Sequence, residues 1–170
     1  MKKSFTLFVS IPLLLHLSVL AQSPLHIPFG QTLQEVQTFL KSRDYISGIE
    51  VDPSMNSITA TDGRKAVEYR FQDDKLYAIS TSLEYGNKKQ ADEHFKSCQD
   101  YFKRMKGDGK NFSDPAFDKG YVSLEDARIA QLHSTQNKED GSVLVSMIIT
   151  SRNYGPKLET EALARELTTR

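Results

Sequence analysis

Most of the features that would reveal a chemistry are missing from this chain. It has one cysteine, Cys98, so no intramolecular disulfide can form even in an oxidising compartment. No apolar run after residue 20 is long enough to cross a bilayer. Neither charge sign dominates, since 22 Lys and Arg stand against 22 Asp and Glu. That balance lacks the concentrated basic patch that grips nucleic acid, and it offers no polybasic tether to a membrane surface. HExxH is absent, because Glu93-His94 has no second histidine at the required spacing. No serine sits in a GxSxG elbow, and no Gly-rich loop could cradle a phosphate. Low-complexity tracts and repeats of fixed period are also missing. The sequence therefore predicts no catalytic residue, no metal site and no cofactor.

The first 21 residues read as a secretory signal. Lys2 and Lys3 open the chain, an apolar run extends from Phe5 to Leu20, and Ala21 supplies a small residue at the expected cut before Gln22. The run is short for a spanning helix and is interrupted by Pro12 and His16. No cysteine lies near the cut, which closes the lipidated-Cys route of bacterial lipoproteins. Residues 1–21 are thus expected to leave a mature domain, 22–170, with 20 basic and 22 acidic residues and a net charge of −2. The expected location is the periplasm or the outside of the cell. A chain of 149 residues can bury one ordinary core.

Residues 22–31 read as an extended lead-in with Pro24 and Pro28. Thr32-Leu33-Gln34-Glu35 is a capping box, opening a short helix with Leu33, Val36, Phe39 and Leu40 on its apolar side. Two modest strands, 45–51 and 56–60, follow around Asp52-Pro53. The strongest pattern is the hairpin Ala66–Tyr85. Val67, Tyr69 and Phe71 alternate with Glu68, Arg70 and Gln72, and after Asp73-Asp74-Lys75 the residues Tyr77, Ile79, Leu83 and Tyr85 fall on alternate positions. Asn87 then caps a long helix whose stripe is Ala91, Phe95, Cys98, Phe102 and Met105. Cys98 lies in the middle of that stripe, which marks it as a packing residue. Gly107 to Leu124 shows neither period and reads as a long loop. Ala127–Thr135 and Ser142–Ser151 predict a second hairpin, its first arm open to a helical alternative because Ser123 could cap one. Leu158, Ala162, Leu163 and Leu167 suggest a C-terminal helix. The order helix–strands–helix–strands hints at a two-part pattern.

Three histidines follow the signal: His26, His94 and His133, none at ligand spacing from another. Gly107–Asp114 looks like a calcium loop, but Lys110 stands where an oxygen ligand belongs and no closing Glu follows. Two interaction candidates remain. One is the long loop, where Phe112, Phe117 and Tyr121 could anchor a partner or fold back over the core. The other is the polar face of the hairpin: Glu68, Arg70, Ser80, Ser82 and Glu84, a set that any solvated sheet face can show.

The stretch Phe29-Gly30-Gln31-Thr32-Leu33-Gln34-Glu35-Val36, followed by strands carrying Tyr69-Arg70-Phe71 and Leu76-Tyr77, resembles small bacterial envelope domains of the BamE/SmpA and beta-lactamase-inhibitor-protein-like kind. The resemblance covers residues 28–85. This chain departs from the pattern in having no lipobox, one helix instead of two before the strands, and a long helix after them. What the resemblance implies is a non-catalytic domain that binds another protein of the envelope. It assigns no site residue.

The sequence thus predicts an α+β domain. An antiparallel sheet of about five or six strands is expected to carry two helices on one face, with Val67/Tyr69/Phe71 and the long helix's stripe as two halves of one core. The expected function is a secreted or periplasmic, non-enzymatic binding module. The alternative is a small-ligand or hydrolase-like site built from dispersed acids and His94 or His133.

Overall fold

The computed structural model describes residues 27–62, 65–104, 108–124 and 127–156. The signal segment, the start of the lead-in with His26, and the C-terminal helix expected around Leu158–Leu167 lie outside the described residues.

Helix α1, Leu33–Lys41, starts where the capping box predicts. The Glu35 N–H donates to Thr32 Oγ1 at 3.2 Å, and the Thr32 N–H donates to Glu35 Oε2 at 2.7 Å. Four strands follow: β1 Gly48–Asp52, β2 Ser57–Asp62, β3 Lys65–Gln72 and β4 Lys75–Tyr85. The β3–β4 turn takes two residues, Asp73 and Asp74, both at positive φ (50° and 56°). That backbone suits the right-handed twist of a tight hairpin. The turn also supports α1, because the Leu33 N–H donates to Asp74 Oδ1 at 3.1 Å. Helix α2, Lys88–Arg104, comes next, with Asn87 accepting the Lys89 N–H at 2.8 Å. Four more strands complete the described chain: β5 Asp108–Phe112, β6 Lys119–Leu124, β7 Arg128–Gln136 and β8 Val143–Ser151.

All eight strands form one antiparallel sheet in the order β1-β2-β3-β4-β8-β7-β6-β5. This corrects the expectation of five or six strands: the sheet has eight. The two additional strands, β5 and β6, come from the segment that read as a loop. Gly109, Asn111, Ser113 and Gly120 break any alternation there, so partners rather than local preference make it extended. The first arm of the second hairpin is strand β7, not helix.

The topology is a helix and a four-stranded meander, written twice. The halves meet at one seam, where β4 and β8 pair from Ala78↔Thr150 to Tyr85↔Val143. Each half has its own apolar cluster. In the first, Val36 and Leu40 of α1 pack with Ile58, Ala60, Val67, Tyr69, Phe71 and Ile79. In the second, Ala91, Phe95 and Phe102 of α2 pack with Tyr121, Ala130, Leu132, Val143 and Val145, and Cys98 lies against them. The single core expected from the hairpin and the long helix is therefore also corrected. The hairpin's Val67, Tyr69 and Phe71 face α1, while α2 backs the second meander.

Candidate functional site

Residues directly opposite across antiparallel strands share a face, so the register sorts the sheet into two sides. Ala60, Val67, Met147, Leu132 and Tyr121 lie in one row on the side of both helices. The neighbouring row, Gly48, Thr61, Ala66, Ser82, Ser146, His133, Gly120 and Phe112, crosses all eight strands on the other side. No described helix covers that second side.

Its two halves differ in chemistry. In the first half it carries a polar cluster. Arg70 donates to Glu68 Oε2 at 2.7 Å through Nη2 and 3.0 Å through Nε, and Ser80 Oγ donates to the same oxygen at 3.1 Å. At the seam the hydroxyls of Ser82 and Ser146 stand 2.9 Å apart.

In the second half the same side carries aromatic rings. The β5–β6 connection folds down onto β7. The Asp118 N–H donates to the Ser134 carbonyl at 2.8 Å, and the Gln136 N–H donates to Asp118 Oδ2 at 2.5 Å. Within the connection the Ala116 N–H donates to Asp114 Oδ1 at 2.8 Å and the Phe117 N–H to the Asp114 carbonyl at 3.0 Å. These bonds set the Phe117 ring against the His133 imidazole, centroids 4.1 Å apart, while Phe112 approaches edge-on at 5.6 Å. Gly120 sits between Phe112 and His133 in register, and a Cβ there would lie 2.6 Å from the Phe112 ring. Its hydrogen is what leaves room for that ring. Val122 and Ile129, on the same side, are also buried and belong to neither helix-backed cluster.

His133 is 7% exposed, and its Nδ1 has no hydrogen-bond partner among the described residues. Burial lowers its pKa, and the nearby Asp114 carboxylate pulls weakly the other way. The imidazole is therefore held neutral as part of an aromatic stack.

Of the three anchor candidates, the structure brings Phe112 and Phe117 together, both half-buried. It sends Tyr121 to the opposite side. There Tyr121 is 1% exposed, inside the α2-backed cluster, with its hydroxyl unpartnered among the described residues. His133, considered from sequence only as part of a hydrolase-like site, is the group the two phenylalanines pack on. The alternation of β7 puts Gln131 and His133 on one side, and only the pairing with Gly120 reveals its neighbours.

His94 lies on the helix side, so the two histidines do not share a site. His94 Nε2 is 3.6 Å from Cys98 Sγ one helical turn on, with the Tyr85 ring 5.5 Å away. Burial pushes the Cys98 thiol up to about 11, so it stays protonated at neutral pH. Burial likewise lowers the pKa of His94. Neither histidine shares a hydrogen bond with a carboxylate among the described residues. Two hollows, of about 460 Å³ beside Lys88, Asp92 and Lys96 and about 470 Å³ beside Gln34 and Phe39, are wide open to solvent and reach no histidine. The stretch that looks like a calcium loop is largely strand β5. Among the described residues no three His, Cys, Asp or Glu side chains cluster as metal ligands, and no helix is long and apolar enough to cross a membrane.

Compared with models of protein families, with curated proteins and with solved structures, the chain matches none.

Proposed function

We propose that this protein is a non-enzymatic binding module of the bacterial cell envelope, exported by its N-terminal segment, that holds another envelope protein through the side of its second half that no described helix covers. The observation carrying this reading is the stack of Phe112 and Phe117 on His133, on a sheet side with no described helix over it. Aromatic rings give large contact area at small entropic cost, and rings fixed by a pinned connection lose little more on binding. Export rests on Lys2, Lys3 and the apolar run to Leu20, and the binding role also accords with the resemblance of residues 28–85 to small envelope domains.

In-cell crosslinking with partner identification tests the reading. The double variant Phe112→Ala/Phe117→Ala should abolish capture of the partner while its circular dichroism and gel-filtration volume stay those of the wild type. Unchanged capture by this variant would remove the Phe112/Phe117 side of the second half from the function.

A further inference from the structure

No described strand lies beyond β1 or beyond β5, and these two edges of the sheet are not alike. An edge strand turns the N–H and C=O of alternate residues outward, and proteins guard such edges with lysine, proline, bulges or a covering element. Edge β5 is guarded. Lys110 stands at its centre, and the strand is tied to α2, since Gln99 Nε2 donates to Asn111 Oδ1 at 2.8 Å. Edge β1 is reached by α1 from the core side, as β5 is by α2, but has none of the other devices. Gly48-Ile49-Glu50-Val51-Asp52 holds neither lysine nor proline, its pairing with β2 is regular from end to end, and no described strand lies on its outer side.

Two of the four exposed large apolar side chains in the described structure flank this one strand. Tyr45, 37% exposed, precedes it, and Met55, 65% exposed, follows it in the turn to β2. Each is five positions from Glu50. Ile49 and Val51 face the core side, so Glu50 is the side chain that a new neighbouring strand would meet on the solvent side. Glu50 is exposed and forms no ion pair with another described residue, whereas the Asp52 carboxylate is already taken up by the Ser54 and Met55 N–H groups.

We infer that β1 is a docking edge for an extended, basic segment of another polypeptide, which adds a ninth strand to the sheet. The partner segment sets a Lys or Arg opposite Glu50 and places apolar side chains against Tyr45 and Met55. Charge selects this occupant over a second copy of the chain. Antiparallel self-pairing centred on β1 puts Glu50 against Glu50, and like charges directly opposite are destabilising. From Asp44 to Asp52 there is no basic residue to relieve that contact. Main-chain hydrogen bonds would supply the affinity, and the Glu50 contact would supply the choice of partner. This edge is separate from the Phe112/Phe117 stack, and the two assignments stand or fall independently.

The test uses the purified protein and three eleven-residue peptides of alternating valine and threonine, valine at both ends, with a central Lys, Glu or Pro. Amide chemical shifts are followed by NMR. The Lys peptide should move the amides of 48–52 and bind about tenfold tighter than the Glu peptide, and the Pro peptide should not bind. Glu50→Lys, an exposed substitution that spares the fold, should reverse the order of the Lys and Glu peptides. Equal binding of those two peptides, an unchanged order in the variant, or shifts confined to residues outside β1 would each overturn the assignment. So would a wild-type dimer that buries β1 against β1.

Discussion

The two halves share one plan and present different chemistry on the side that no described helix covers. In the first half that side is polar and half-buried, with Glu68, Arg70 and Ser80 joined in a hydrogen-bonded group. In the second, Phe117 and Phe112 pack on a neutral His133, and Val122 and Ile129 are buried beside them. The helix side fills a core in both halves, and it does so with similar residues. On the other side the halves differ, one polar and one aromatic. A difference between two copies of one architecture is a good place to look for function.

The sharpest way to test the two-core description is to damage each core in turn. Leu40→Ala in the first cluster and Leu132→Ala in the second each remove a side chain that is essentially fully buried, and each should cost about 3 kcal/mol in urea unfolding. Hydrogen exchange should then separate them. The first variant should weaken amides of β1 to β3 before those of β6 and β7, and the second should do the reverse. Uniform weakening in both would mean that the seam couples the halves into a single core.

A smaller effect comes from pH. Burial holds the His133 pKa below its ordinary value, so over the interval between the two values the unfolded chain carries a proton that the folded chain does not. Stability should be full above about pH 6.5 and should fall as pH drops below it. His133→Gln should reduce the loss in Tm between about pH 7.5 and 5.5, and the remainder should include the share of His94. The described part of the first half has no histidine, so its amides should show the smaller pH response. An undiminished loss in the variant would show that the stack does not exclude the proton.

The smallest effect belongs to the first half's polar face. Arg70 is 43% exposed in its side chain, and its pairing with Glu68 is screened by water. Arg70→Ala should cost no more than about 1 kcal/mol. A loss several times larger would mean that this face is not the ordinary solvated surface it resembles.

How much of this could be read from the residues depended on how local the signal was. The Thr32/Glu35 box, the alternation of Val67, Tyr69 and Phe71, and the stripe Ala91, Phe95, Cys98 and Phe102 are short-range patterns, and each marks a real element. Strands β5 and β6 have no such pattern. Gly109 sits where Tyr121 closes over it, and Gly120 sits beneath Phe112, so these glycines answer to neighbours across the sheet. The strand count failed for that reason. The partition into two clusters was hidden too, because it depends on β8 crossing back to β4. In the site, Phe112 and Phe117 stood out as aromatics in a polar segment. Tyr121 looked equivalent until the register placed it on the other side. His133 lies 16 residues after Phe117 in the chain, and no spacing rule joins them.

The seam has a further consequence, for the order in which the chain folds. Strand β4 ends at Tyr85 and its outer neighbour β8 begins at Val143, so this pairing closes across the whole of α2 and β5 to β7 and comes after the local hairpins. Until it closes, the first meander can assemble over α1 with the long β4 edge bare, and Tyr85 lies on the side that β8 and α2 later complete. The folding protein is thus most exposed to wrong strand pairing when half of it has already assembled. A holding chaperone would matter most in that interval, and its removal should lower the yield of soluble protein.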